Sequence, residues 1–235
     1  MKAILLCGGQ GTRLRPYTYS IPKPMLPLGK RPILEYVVRN LKSHGIKEIY
    51  LTVGYLKEQI ISHFGNGSKI GVKINYAEEK EEQNTAGSII ALKEKMKETF
   101  VVQMGDHLSR VNLQKMVAFH KKQGGIATIA FKRQGIPLEY GVAHLDAKGH
   151  VSSFKEKPIV ENLINAGIYI FEPEVFKYIK PKEDFAKNVF PRLMQSGQKI
   201  NGYVFDDYWL DIGRTADYEK LNEIISIIEM VTELE

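Results

Sequence analysis

The 235-residue chain carries 33 Lys and Arg against 27 Asp and Glu, a formal charge of +6, with 43% hydrophobic and 26% charged residues. This composition excludes disordered and collagenous classes, and a chain of this length can bury a core without cross-links. Its lone cysteine, Cys7, admits no internal disulfide framework.

The basic residues are scattered, and no apolar stretch approaches the ~20 residues of a membrane span. Zinc-finger spacing, basic-region heptads and RNA-binding aromatic signatures are missing. The excess charge therefore points to small anionic ligands, with neither nucleic acid nor membrane expected as a partner, and a cytoplasmic location is expected.

In chain order, residues 2–7 predict a short buried strand, with Cys7 as a small buried hydrophobe at its end. A long loop follows over 8–30. Pro32 suits the first turn of a helix in which Ile33, Leu34, Val37, Val38 and Leu41 recur at helical spacing, and Gly45 closes it. A strand is expected over 48–53, a helix over 56–64, a turn at 65–68 and a strand over 72–77. Residues 86–97 read as one helix leading into a strand over 100–104. Asn112 is placed to cap a helix that Gly124-Gly125 ends. Strands near 126–132, 141–145, 151–155 and 164–171 follow, then a helix near 185–195, a strand near 200–205 and a closing helix from Thr215.

Alternation of strand and helix in the first half predicts βαβ units and a mostly parallel sheet flanked by helices. The strand-rich second half predicts a smaller antiparallel portion. One domain over 1–235 is the simplest organisation.

Ligands of open parallel sheets bind beyond the carboxyl ends of the strands. Three chemically loaded sequences are expected there: Gly8 to Lys23, Gly105-Asp106, and Trp209 to Gly213. In the first, Gly8-Gly9-Gln10-Gly11-Thr12-Arg13 provides a backbone able to approach an anion closely, with successive N–H groups facing it. The glycine spacing fits neither G-x-G-x-x-G nor a Walker A sequence. Arg13 offers a planar fork for phosphate oxygens, and Lys23 a point charge on a backbone stiffened by Pro22 and Pro24. Asp106, directly after Gly105, and Asp211, in Trp209-Leu210-Asp211-Ile212-Gly213, are either Mg²⁺ ligands or turn-capping aspartates.

The stretch from Leu6 through Gly8-Gly9-Gln10-Gly11-Thr12-Arg13-Leu14-Arg15-Pro16, with Thr18 and Pro22-Lys23-Pro24-Met25-Leu26-Pro27, resembles the signature of the sugar-1-phosphate nucleotidyltransferases. The resemblance continues to about Tyr218. It implies a Rossmann-like α/β fold in which Gly8, Gly9, Gly11 and Thr12 wrap a nucleoside triphosphate. Arg13 would hold the departing pyrophosphate and Lys23 would contact phosphates. Asp106 and Asp211 match the family's two metal-binding aspartates, which implies Mg²⁺ as cofactor. His107 reads as lying behind these ligands or in solvent.

Tyr140-Gly141-Val142, Glu156-Lys157-Pro158 and Asn165-Ala166-Gly167 resemble the family's sugar-phosphate motifs. They imply that Glu156 takes sugar hydroxyls, Lys157 takes the phosphate, and Tyr140, Gly141 and Asn165 complete the pocket. Glu79 stands where an acceptor for base-edge donors would lie, which leans towards GTP, with UTP and dTTP also open. Thr85-Ala86-Gly87 resembles the family's Gly-Thr-Ala-Gly turn, with Asn84 in place of the first glycine.

The expected partners are a nucleoside triphosphate and a hexose 1-phosphate, and a homo-oligomer is compatible with the sequence. Many relatives carry a carboxy-terminal β-helix, and none is expected here. A catalytically silent binding subunit would show substitutions at Arg13, Lys23, Asp106 or Asp211, and all four are present. A dinucleotide-dependent oxidoreductase is disfavoured by the glycine spacing.

Overall fold

The computed structural model describes residues 1–232, with side chains described to 225. In the first half of the chain, β1 (Lys2–Leu6), α1 (Ile33–Ser43), β4 (Glu48–Val53), α2 (Lys57–Phe64), β5 (Lys73–Glu78) and β6 (Phe100–Met104) alternate as expected. Two short strands, β2 (Pro27–Leu28) and β3 (Arg31–Pro32), pair within the long loop after β1. β1 pairs in parallel with both β4 and β6, and β4 in parallel with β5. The near-continuous burial of β1, β4 and β6 marks strands covered on both faces.

The second half adds α4 (Leu113–Gln123), β8 (Ala127–Pro137), β11 (Ile159–Phe171), α5 (Phe190–Gln195), β12 (Ile200–Phe205) and α6 (Thr215–Thr232). The central sheet has seven strands in the order β12-β8-β11-β6-β1-β4-β5. β11 runs antiparallel to both its neighbours, and the other six strands point one way. The architecture is thus a mostly parallel α/β sheet with small antiparallel additions.

Side chains alternate between two cores. Ala3, Leu5 and Cys7 pack with Leu34, Val38, Ile60 and Met116 on one face, while Ile4, Leu6 and Phe100 pack with Phe171, Phe185 and Leu193 on the other. A third cluster joins Leu14 and Leu26 of the loop to Ile212 and Tyr218 near the end of the chain. The Tyr218 hydroxyl donates to the Pro27 carbonyl at 2.7 Å, which clamps the loop from outside.

Two segments differ from expectation. The helix expected over 86–97 is a short α3 (Asn84–Gly87) followed by a 3₁₀ stretch over Ile90–Lys95. The N–H groups of Ala86 and Gly87 both bond the Glu183 carbonyl, and a Cβ on Gly87 would lie 2.7 Å from Lys182 N, so tertiary packing dictates this segment's path.

β8 and β11 also run further than their apolar segments suggested, pairing from Ala127↔Phe171 out to Pro137↔Ile159. Beyond Lys132 they leave the core. With β9 (Val142–Leu145) and β10 (Val151–Lys155) they form an arm exposed along nearly all of its length. Having lost burial, its outer half carries no hydrophobic alternation from which its length could be read. Among the described residues, no helix is long and apolar enough to cross a membrane.

Candidate functional site

Because β1, β4, β5 and β6 are parallel and in register at their ends, the loops after all four leave one edge of the sheet. Antiparallel β11 returns to that same edge with Asn165, Ala166 and Gly167, since Ile168 pairs with Gln103 near the end of β6. The chemistry collects there.

The glycine loop is folded by its own residues. Gly11 has φ +63°, and a Cβ there would lie 3.0 Å from both Lys23 Cβ and Thr18 Cγ2. The Thr18 hydroxyl donates to the Gly11 carbonyl at 2.9 Å, which explains the threonine in the motif. Gly9, Gly11, Thr12, Arg13 and Lys23 line a cavity of about 330 Å³ that Gly213 closes from the other end of the chain. Arg13 is exposed on a 3₁₀ turn and faces this cavity, with freedom to meet a ligand.

Lys23 is buried to 9% exposure, and its ammonium sits on Asp106 Oδ2 and 3.5 Å from Asp211 Oδ1. Asp106 follows Gly105, where a Cβ would lie 2.5 Å from Cys7 Sγ and 3.0 Å from the Leu6 carbonyl. Only glycine lets β6 turn this close to β1, and that turn aims Asp106 at the loop.

Asp211 arrives on a strand that the sequence did not disclose. β13 (Trp209–Asp211) pairs antiparallel with β7 (His107–Ser109), placing Asp211 opposite His107. The two carboxylates and Lys23 therefore converge from segments nearly 190 positions apart.

His107 belongs to the same cluster, which overturns only the solvent-exposed alternative expected for it. Its side chain is 12% exposed, and Nε2 lies 3.3 Å from Asp211 Oδ1 and 3.7 Å from Asp106 Oδ1. Nδ1 donates to the Ala166 carbonyl at 3.0 Å, as does Trp209 Nε1 at 2.9 Å. Potential ligand atoms of Asp106, His107 and Asp211 all lie within 4.8 Å of one another. The sequence held one usable signal, a histidine next to a candidate metal aspartate.

Burial alone would raise the Asp211 carboxyl, but the imidazole of His107 and the charges of Lys23 and Arg13 outweigh it and hold the pKa at about 2. Burial likewise favours neutral His107, and the two aspartates and the Ala166 carbonyl reverse this and raise its pKa. The depressed aspartate stabilises the fold above its unfolded pKa of about 3.9, and that stability is lost as pH falls through about 2. The raised histidine stabilises below about 6.5 and loses its contribution as pH rises through its folded value. In chelator, thermal stability is expected to peak between about pH 4 and 6.5, and Asp211→Asn should flatten that peak. An unchanged profile in Asp211→Asn would show that the pair does not set it.

The nucleotide-side residues divide. Gly8, Gly9, Glu79 and Thr85 line a second cavity of about 150 Å³ beside the first. Glu79 is half-buried against Gly8, and burial is the largest influence on its raised pKa. Its neighbours turn outward, Glu78 pairing with Lys57 at 2.7 Å and Glu81 with Lys182 at 2.9 Å. The Thr85 hydroxyl donates to Asp184 and accepts from Phe185 N–H, so it ties α3 to the neighbouring turn. Gly87 is buried against Lys182 and away from both cavities.

On the acceptor side, Asn165 lies at the sheet edge, accepting from Gly167 N–H at 3.0 Å and donating to the Tyr169 hydroxyl at 3.1 Å. Tyr140, Gly141, Glu156 and Lys157 lie on the arm. Gly141 faces Glu156, whose Oε2 would be 2.6 Å from a Cβ there. Tyr140 is 81% exposed, and among the described residues no hydrogen bond or ion pair joins residues 140–157 to Lys23, Asp106 or Asp211.

A glycine loop lined with cations facing an acidic cluster at the carboxyl edge of a mostly parallel sheet defines a phosphate-handling α/β domain of the Rossmann-like kind. Residues 2–226 match the family model described as "Nucleotidyl transferase", and the chain belongs to that family.

A UTP–glucose-1-phosphate uridylyltransferase of Synechocystis sp. is 39% identical over 93% of this chain and 61% of its own length. A probable mannose-1-phosphate guanylyltransferase of Arabidopsis thaliana is 36% identical over 93% and 63%. The chain thus spans somewhat under two thirds of the length of these relatives. The crystal structure of HddC from Yersinia pseudotuberculosis superposes with a TM-score of 0.76 at 25% identity, covering 95% of this chain and 98% of that one. A Bacillus anthracis structure bound to sucrose has the same TM-score at 24% identity and shares the fold.

Proposed function

We propose that this domain transfers a nucleotidyl group from a nucleoside triphosphate to a hexose 1-phosphate, releasing pyrophosphate and an NDP-sugar. The observation that carries the reading is the meeting of Lys23, Asp106 and Asp211 at the rim of the glycine-loop cavity.

The residues present suit a divalent cation. Asp106 Oδ1 and Asp211 Oδ1 are buried with no hydrogen-bond partner, and Lys23 and His107 meet them only at ion-pair distances of 3.3 Å or more, so both oxygens are open to a cation. Asp106 and Asp211 would hold the cation, proposed as Mg²⁺ from the family resemblance, and when bound it would supply charge neutralisation at the reacting phosphate.

The acceptor phosphate needs no side-chain base, because its second pKa is near 6 and it is already an anion. The protein's task is to bring two polyanions together and hold them in line. Lys23 would pass from Asp106 to the phosphates. Arg13, exposed over the cavity, would bind the departing pyrophosphate. The N–H groups of the Gly8–Thr12 loop would cradle the triphosphate. On the acceptor side, Lys157 would take the sugar phosphate, while Tyr140, Gly141, Glu156 and Asn165 would select the sugar. The domain is taken to act as one catalytic unit in the cytoplasm, free to self-associate.

The relatives divide between uridylyl and guanylyl transfer, and a carboxylate at Glu79 favours guanine by accepting from its N–H groups. Glu79→Gln is expected to raise KM for the preferred triphosphate about 10–100-fold, the usual worth of a hydrogen bond to a charged group, with Tm unchanged. An unaltered KM would remove Glu79 from base recognition.

The decisive experiment measures pyrophosphate release while crossing the five nucleoside triphosphates with glucose, mannose, glucosamine and N-acetylated hexose 1-phosphates, with and without Mg²⁺. One pair should dominate and depend on the cation. Absence of release from every pair would overturn the reading.

A further inference from the structure

We propose that His107 is a third protein ligand of the cation held by Asp106 and Asp211, and that it makes the site bind Mn²⁺ or Co²⁺ more tightly than Mg²⁺. The inference rests on the metal reading above and goes beyond it, since that reading needs only the two carboxylates.

The tautomer is fixed by geometry. Nδ1 lies 3.0 Å from the Ala166 carbonyl, to which it can only donate, so the proton of a neutral ring stays on Nδ1 and the lone pair on Nε2. Nε2 then faces Asp211 Oδ1 at 3.3 Å and Asp106 Oδ1 at 3.7 Å, the two oxygens that are buried without a hydrogen-bond partner. These three donor atoms lie close enough together for a single cation to meet all of them. A backbone carbonyl bonded to the far nitrogen is the usual way a ligating imidazole is oriented.

The ring's seat is built from three elements. The Trp209 indole meets it edge-on with centroids 5.6 Å apart and shares its carbonyl acceptor. Gly167, at φ +69°, packs on its other side, where a Cβ would lie 2.7 Å from Nδ1 and 2.9 Å from Cε1. The β7–β13 register sets His107 opposite Asp211. A histidine merely filling space would need neither a glycine beneath it nor a fixed nitrogen.

The donor set decides the ion. Mg²⁺ is hard and takes oxygen ligands and water, whereas imidazole suits first-row transition ions, with Co²⁺ above Mn²⁺ in intrinsic affinity. Replacing one oxygen by nitrogen therefore shifts preference away from Mg²⁺.

The test is pulsed EPR of the protein with Mn²⁺ alone and with Mn²⁺ plus inorganic tripolyphosphate, a stand-in that carries no base. The expected result is ¹⁴N coupling from a directly bound imidazole in both samples, and ³¹P coupling in the second. His107→Asn, whose amide can still donate to the Ala166 carbonyl, should lose the ¹⁴N coupling. It should also bind Mn²⁺ at least ~10–100-fold more weakly, with Mg²⁺ affinity nearly unchanged.

Bound Mn²⁺ with ³¹P but no ¹⁴N coupling in the wild type overturns the role of His107 and leaves the carboxylate site standing. Mn²⁺ showing neither coupling, or binding equally well to an Asp106→Asn, Asp211→Asn double variant, overturns both. The wild-type spectra decide the matter even where a variant does not fold.

Discussion

Asp106→Asn is expected to lower turnover by at least ~10²–10³, with binding of the sugar phosphate retained. The size follows from position. Asp106 is 9% exposed, bonds the Lys23 ammonium through one oxygen and leaves the other buried and unpartnered. An amide keeps the shape and one acceptor oxygen for Lys23, so the pair remains joined by a hydrogen bond and Tm should move little. What it loses is charge, and in a water-poor site charge sets the affinity for a cation and for the phosphates it neutralises. The effect should appear in kcat and in cation affinity together. Wild-type turnover in a folded Asp106→Asn protein would remove Asp106 from the chemistry.

Lys23→Met is expected to be comparably severe for activity and, unlike the aspartate change, to destabilise the ligand-free protein. Lys23 and Asp106 form a buried ion pair, their side chains 11% and 12% exposed. Deleting one member of such a pair strands the other and costs about 3–5 kcal/mol. Methionine keeps the apolar stem that packs against Gly11, so the loss is electrostatic. Urea unfolding in chelator should show that loss. Adding a divalent cation at about a hundred times its Kd should return roughly 2.7 kcal/mol, because the ion replaces the missing charge. No destabilisation in chelator would mean that water already screens Asp106.

Both variants bear on a site whose parts were unevenly visible in the sequence. Helical spacing from Ile33 to Leu41 and the apolar runs of the parallel strands gave element types and bounds closely, and Asn112 caps its helix as read, accepting from Lys115 N–H at 2.9 Å. These are local effects, settled by burial periodicity and capping within a few residues. Segment 86–97 and the strand extensions 133–137 and 159–163 were misread for the complementary reason: contacts with distant residues, or the loss of burial on leaving the core, decided them.

The sequence by itself determined the family-like glycine loop, the glycines it requires, the stiffened Lys23 and two candidate carboxylates, because each follows from the backbone freedom and charge of the residues concerned. Only the tertiary structure decided that the β7–β13 pairing sets Asp211 opposite His107, that Glu79 and Glu82 line the cavities at the glycine loop while Glu78 and Glu81 pair with lysines, and that the sugar motifs ride on an exposed arm. The physical reason is separation along the chain. Charges 100 and 190 residues apart acquire a common environment only when strand register brings them together, and no local periodicity encodes that register.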